Sequence, residues 1–163
     1  MKQENIRFRF ANEKDCRLIL KFIRSLAKYE KLEKEVVATE AILHEWLFEK
    51  KKAEVLFVMD GDTEVGYALF FHNFSTFLGR AGIYLEDLYV RPSYRGRGYG
   101  KALLREVAHV AVTRGCGRLE WSCLDWNQLS IDFYKSLGAE SMDEWTVYRA
   151  GGDVLRKLAG IKD

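Results

Sequence analysis

The sequence predicts a mixed α/β domain, and three patterns predict it. Apolar residues alternate with charged ones near the amino terminus, the period of a half-buried strand, and strand-like apolar stretches follow mid-chain. Between those stretches they recur at three- and four-residue steps, as on amphipathic helices. A glycine-rich turn links a strand-like stretch to a helical one with another strand beyond, a single crossover surrounded by antiparallel pairs.

In chain order, Ile6, Phe8 and Phe10 alternate with Arg7 and Arg9 in a first strand. Cys16, Ile19, Leu20, Ile23, Leu26 and Ala27 then form a helical stripe, with Asn12 or Asp15 as its cap, that fades within LAKYEKLEKE at 26–35. Thr39 caps a second, shorter helix carrying Ile42, Leu43, Trp46 and Leu47. Residues 55–74, VLFVMDGDTEVGYALFFHNF, read as a hairpin turning at DGDT. Ile83 to Val90 is a further strand, followed by a helix from about Tyr99 to Arg114 with Ala102, Leu103, Val107, Val110 and Ala111 on one face. RLEWSCL at 118–124 is the next strand, and 128–137 a short helix ended by Gly138. Ala139 to Arg149 offers one or two more strands around Trp145 and Val147.

The 163 residues suit one domain, 1–163, able to bury its own core. With 26 Lys and Arg against 24 Asp and Glu, the formal charge of +2 gives no polybasic footprint for nucleic acid or a membrane surface. Cys16, Cys116 and Cys123 show no C-x-x-C spacing, and MKQENIRFRF lacks the apolar stretch of a secretory signal, so a reducing, cytoplasmic location is expected. No apolar run approaches the ~18 residues of a membrane span. His44, His72 and His109 have no metal-ligand spacing, so no metal is expected, and neither Cys116 nor Cys123 has a His near it in sequence to support a covalent acyl route.

The chemistry concentrates in VRPSYRGRGYGKALL, residues 90–104. Gly96, Gly98 and Gly100 allow a tight bend and close approach to backbone N–H groups, and Arg95 and Arg97 add positive charge. A nucleotide-hydrolase P-loop needs four residues before its Gly-Lys pair and then Ser or Thr; here three residues separate Gly96 from Gly100, and Ala102 follows Lys101. A dinucleotide fingerprint needs glycine where Lys101 stands, and Glu120, at the right distance for a ribose, lies inside its strand. What survives is a glycine turn at a helix amino terminus, suited to a diphosphate.

Arg95-Gly96-Arg97-Gly98-Tyr99-Gly100 resembles the acetyl-coenzyme A pyrophosphate loop of the GNAT acetyltransferase superfamily. LAKYE at 26–30, YLEDLYV at 84–90 and WNQLSIDFYKSLGA at 126–139 resemble its diamine (spermidine/spermine) acetyltransferase branch, in the family's order and across most of the chain. The resemblance implies a GNAT-type fold, a central mixed, mostly antiparallel sheet of six to seven strands flanked by about four helices, with acetyl-CoA as cosubstrate and a homodimer as the assembly. It implies that Leu88, Tyr89 and Val90 meet the pantetheine arm as an added strand would, that Arg95, Gly96, Arg97, Gly98, Tyr99, Gly100 and Lys101 form the pyrophosphate loop, and that Asn127, Gln128, Leu129 and Ser130 make further coenzyme contacts. Tyr29 and Glu30 correspond to positions near the acceptor, and Tyr134 to the family's proton donor.

The implied reaction is direct attack of a neutral amine on the thioester in a ternary complex. An alkylamine with a pKa near 10.4 costs about 4 to 5 kcal/mol to deprotonate at pH 7, so a base is needed. Strict alternation puts Tyr84, Glu86, Leu88 and Val90 on one face of their strand and Ile83, Leu85, Asp87 and Tyr89 on the other. Glu86 is then the candidate base or ammonium anchor, and Asp87 a structural carboxylate. A backbone N–H near Leu88 stabilises the carbonyl oxygen, as the family implies, and the Tyr134 phenol, with a reference pKa near 10, protonates the departing thiolate.

Each assignment has a plainer counterpart: Glu86 pairing with an arginine, Tyr134 anchoring its helix, and KYEKLEKE as an ordinary solvated segment. The branch commonly has Glu-Pro where this chain has Gln128-Leu129, and the stretch after Gly138 matches poorly. The acceptor therefore stays open among a polyamine, a diamine, a lysine analogue such as thialysine, or another primary amine, with a local acidic cluster (Glu30, Glu86, Asp87, Glu144) required for a polycation. A protein or peptide N-acetyltransferase and a non-catalytic coenzyme A-binding regulatory module are the alternatives.

Overall fold

Alternation of apolar and charged residues makes β1 (Ile6–Phe10) an edge strand of a five-stranded sheet ordered β1-β2-β3-β4-β5. The computed structural model describes residues 6–161, which divide into two compact units, one ending at Ser122 and one beginning at Cys123. The whole sheet lies in the first unit. Strands β2 (Glu54–Asp60), β3 (Thr63–Ser75) and β4 (Arg80–Val90) run antiparallel in sequence, with Gly61 at φ 59° in the β2–β3 turn. The crossover through α3 (Tyr99–Thr113) returns the chain parallel to β4 as the short β5 (Leu119–Trp121).

Of the two cap candidates, Asn12 caps and Asp15 ends the 3-10 turn (Glu13–Asp15) that leads into the first helix. The Asn12 side chain accepts from the Lys14 N–H at 3.0 Å, while Asp15 accepts from the Asn12 N–H at 2.8 Å, a reciprocal box ahead of α1 (Cys16–Tyr29). Thr39 accepts from the Ile42 N–H at 3.2 Å and starts α2 (Glu40–His44), which widens into a π-helical turn over Glu45–Glu49. The apolar stripe of α1, with Leu43 and Leu47, packs with Val55, Phe57, Tyr67 and Tyr89 of the sheet. Helix α3 packs against β2, β3 and β4 and buries Leu103 and Val107 completely. Removing such a side chain to Ala costs about 2–5 kcal/mol.

One irregularity governs the site. Opposite β4, Leu69 pairs with Asp87 and Phe70 with Leu85, so Glu86 is the extra residue of a β-bulge. Leu69 and Phe70 face opposite ways, so Asp87 and Leu85 do too, and the alternation expected along 83–90 breaks at Glu86. Asp87 shares its face with Tyr67 and Tyr89 but not with Leu85, and Tyr84 does not share the face of Leu88 and Val90.

The second unit contains α4 (Gln128–Ser136), ended by Gly138 at φ 83°, and α5 (Gly152–Leu158). In place of the six to seven strands expected, one or two of them after Ala139, the sheet has five among the described residues, and beyond that stretch a helix occupies 152–158. Trp145 and Val147 do alternate, but both are exposed and no described strand offers their backbone a ladder, and a strand exists only through pairing.

Candidate active site

The glycine-rich loop closes the first unit's β4–α3 connection. After a 3-10 turn at Pro92–Tyr94, Gly96 and Gly98 take φ values of 74° and 86°, the left-handed region that other residues enter at a cost. The helical ladder of α3 opens with the Ala102 N–H donating to the Gly98 carbonyl at 2.9 Å, so the N–H groups of residues 99–101 precede it. A Cβ placed on Gly96 would meet nothing within 4 Å, and one on Gly100 would reach only Val90 Cγ2 at 3.8 Å. Open backbone at the amino terminus of a 15-residue helix fits a diphosphate.

Arg95 and Arg97 differ in role. Arg95 Nε donates to the Val90 carbonyl at 2.9 Å, and its guanidinium lies 4.8 Å from the Tyr29 ring and 5.2 Å from that of Tyr89. It thereby joins the loop to the ends of β4 and α1. Arg97 sits 5.4 Å over Tyr94, which meets Tyr99 edge-on. Lys101 is exposed in the first turn of α3.

Strand β4 pairs with β5 only over Ile83 to Leu85, while its pairing with β3 continues to Val90. Leu88, Tyr89 and Val90 therefore lie beyond the last β4–β5 pair, where an extended ligand can add as a strand does. Glu86 is exposed at the bulge.

Asp87 is half-buried, and the Tyr67 hydroxyl donates to its Oδ2 at 2.6 Å. Burial pushes the Asp87 carboxyl up, the Tyr67 hydrogen bond pulls it partly back, and the neighbouring Glu86 pushes it up again. Glu30, the residue closing α1, is pushed up by burial and then by the charge of Asp87. Tyr67 is fully buried with Phe22 stacked at 5.1 Å, and burial, then the Asp87 charge, holds its phenol protonated far above the ordinary value.

Within the first unit the fold thus gathers Tyr29, Glu30, Glu86, Leu88, Tyr89, Val90 and the 95–101 loop. The second unit holds Asn127, Gln128, Leu129, Ser130 and Tyr134. The buried Asn127 side chain caps α4 by accepting from the Ser130 N–H at 3.3 Å, Gln128 donates to Asp132 at 2.6 Å, and Leu129 is exposed. Tyr134 lies on α4 with its ring 5.4 Å from that of Phe133. Nothing in the sequence marks Tyr67, because the bulge that brings Asp87 to its face leaves no trace in the spacing. No helix among the described residues is long and apolar enough to cross a membrane, and no cluster of three or more His, Cys, Asp or Glu is placed to hold a metal.

Residues 20–139 match the family model described as the acetyltransferase (GNAT) family. The chain belongs to the GNAT acetyltransferase family. It is accordingly an acyltransferase, and the family's acetyl donor is acetyl-CoA. It is 41% identical to the thialysine N-epsilon-acetyltransferase of Bos taurus, over 95% of this chain and 98% of that one. It is 32% identical to the L-ornithine N5-acetyltransferase of Arabidopsis thaliana, over 93% of this chain and 87% of the relative. Among solved structures, an integron cassette protein from the mobile metagenome of V. cholerae superposes with a TM-score of 0.80 at 29% identity, covering 95% of this chain and 98% of that one. The GNAT fold and the diamine acetyltransferase branch implied by YLEDLYV and WNQLSIDFYKSLGA are thereby supported.

Proposed function

We propose that the protein acetylates a primary amine of a small diamine or lysine analogue, with acetyl-CoA as donor. The similarity to a thialysine acetyltransferase over nearly the whole of both chains carries this reading. Two half-buried carboxyls, Asp87 and Glu30, add to it, since together they offer a cationic acceptor a place from which water is partly withdrawn.

Bound at the loop, acetyl-CoA supplies the thioester carbonyl that the amine attacks. The N–H groups of 99–101 and the flanking Arg95, Arg97 and Lys101 hold the diphosphate, and the backbone of Leu88, Tyr89 and Val90 lines up the pantetheine arm. Asn127, Gln128, Leu129 and Ser130 contribute the further coenzyme contacts of the family. Glu86 takes the proton of the ammonium, directly or through water, at an exposed bulge where both are accessible. As the N–C bond forms, the Leu88 N–H steadies the carbonyl oxygen, and as the C–S bond breaks, Tyr134 gives its proton to the thiolate. Tyr29 and Glu30 line the acceptor side. The chain works as one domain, 1–163, in a cytoplasmic homodimer, which light scattering and fractionation test.

An acetylation screen over polyamines, diamines, lysine analogues and peptides decides the substrate class. Turnover of small amines is expected, and turnover of peptides alone overturns the reading. Tyr134→Phe is expected to lower kcat by about 10²-fold while coenzyme binding by calorimetry persists, and unchanged turnover removes Tyr134 from its role.

A further inference from the structure

The bond between Tyr67 and Asp87 has a direction that matters. The phenol is buried and donates, so it favours the charged carboxylate over the neutral acid. It occupies Oδ2 and leaves Oδ1 to another donor. Asp87 has no salt bridge among the described residues. Arg91 and Arg95 are engaged with aromatic rings: Arg91 lies 5.1 Å over Phe22, and Arg95 lies over Tyr29 and Tyr89. The remaining charged neighbours, Glu86 on the same strand and Glu30 at the end of α1, are themselves acids. A carboxylate drawn from water, hydrogen-bonded by a neutral donor and set beside other acids lacks an ion-pair partner among the described residues.

We propose that the Tyr67 hydroxyl is a positioning residue for acceptor recognition, holding the Asp87 carboxylate so that its second oxygen receives the non-reacting cationic group of the acceptor. This rests on the small-amine reading above and deepens it. Phe22 stacked on the Tyr67 ring, and the pairing of Tyr67 with Tyr89 across β3 and β4, fix where the hydroxyl sits. The Leu69–Asp87 pair and the bulge fix the carboxyl. The acceptor class that fits is an amine bearing a second positive group, in contrast to a monoamine, which leaves Asp87 unpaired and gains nothing from Tyr67.

Tyr67→Phe tests this, because it keeps the ring and removes only the donor. Without the bond Asp87 takes up a proton more readily, so its titration moves upward and less carboxylate is available at the acid end. The acceptor KM for a diamine is expected to rise about tenfold at the acid end of the pH profile and progressively less toward the alkaline end. Taking the ratio to wild type at each pH cancels the acceptor's own titration. The KM for acetyl-CoA and the KM for a monoamine are expected to hold. A loss equal at every pH, or equal for monoamine and diamine, overturns the proposal.

Asp87→Asn guards against a packing artefact, since Tyr67→Phe added to it should cause no further loss of diamine affinity; additive losses overturn the proposal. Carboxyl NMR titration of wild type and Tyr67→Phe needs no substrate and separates this proposal from the reading it rests on. An Asp87 midpoint that does not move overturns the Tyr67 linkage whatever the turnover. A midpoint that moves upward supports the linkage, and if no small amine is turned over it is the acceptor reading that falls.

Discussion

Asp15 and Asp87 are both drawn from water in the first unit, yet their carboxyls shift in opposite directions: at Asp15 the Arg9 bond outweighs burial, whereas at Asp87 burial outweighs the bond from the Tyr67 phenol. Arg9 grips Asp15 with two bonds of 2.8 and 2.9 Å, takes Glu64 at 2.6 Å, and lies over the Phe57 ring. The Arg9 bond holds Asp15 below its ordinary value against the opposing effect of burial. That network ties β1, the start of α1 and β3 together, and every charge in it is answered inside the fold. Asp87 has a neutral donor and acidic neighbours, so its charge waits for a partner from outside. A buried acid paired with a guanidinium braces the fold, whereas one bonded by a neutral donor keeps the capacity to take a cation from outside.

Exchanging each acid for its amide separates the two roles most sharply. Asp87→Asn is expected to raise the acceptor KM by roughly 10- to 100-fold, the span of a charge-assisted hydrogen bond of about 1.5–3 kcal/mol, with the acetyl-CoA KM unchanged in steady-state kinetics. Its stability should hold or rise. A raised folded-state pKa means that the native protein binds the proton more tightly, so stability falls as pH climbs from the ordinary 3.8 through the raised value, and the amide removes that loss. Equal acceptor KM values in the two proteins would place Asp87 with the structural acids.

Asp15→Asn should do the reverse, costing about 2 kcal/mol and lowering Tm by about 4–8 °C, with activity per folded molecule intact. Here the folded value is depressed. The stabilisation is full above the unfolded value of 3.8 and is lost as pH falls through the lower folded one, so wild type and variant should converge in acid when melting is followed by calorimetry. A gap that stays constant into strong acid would mean that the Arg9 pair is not its source.

The division between the two acids also marks how far the sequence could be read. Period-two alternation located β1, apolar stretches around the DGDT turn located β2 and β3, three- and four-residue steps located α1, Asn12, Asp15 and Thr39 stand at helix starts, and Gly138 ends α4. The glycine turn at 95–100 was legible because glycine spacing is local. Pairing is not local. The bulge at Glu86 is visible only against β3, and strict alternation alone puts Asp87 on the face of Leu85. Trp145 and Val147 alternate as a strand should, but alternation does not supply a neighbouring ladder, and that stretch is not a strand among the described residues. Nothing in the local sequence marks Tyr67, and only the fold brings its hydroxyl to a carboxylate.

The smallest effect tests whether the two acids on the acceptor side act as a pair. Glu30 is held up first by burial and second by the charge of Asp87. Replacing Asp87 with Asn removes the second cause and leaves the first, so the Glu30 midpoint should move down toward 4.5 in a carboxyl NMR titration without reaching it. Asp15→Asn, at the other acid site, should leave Glu30 where it is, since Asp15 has no part in its shift. Should Glu30 fail to move in Asp87→Asn, the two carboxyls do not share a field, and a cation held by Asp87 would gain nothing from Glu30. A downward move means that one positive group on the acceptor relieves both acids at once, which favours a substrate that stays charged at the end remote from the reacting amine.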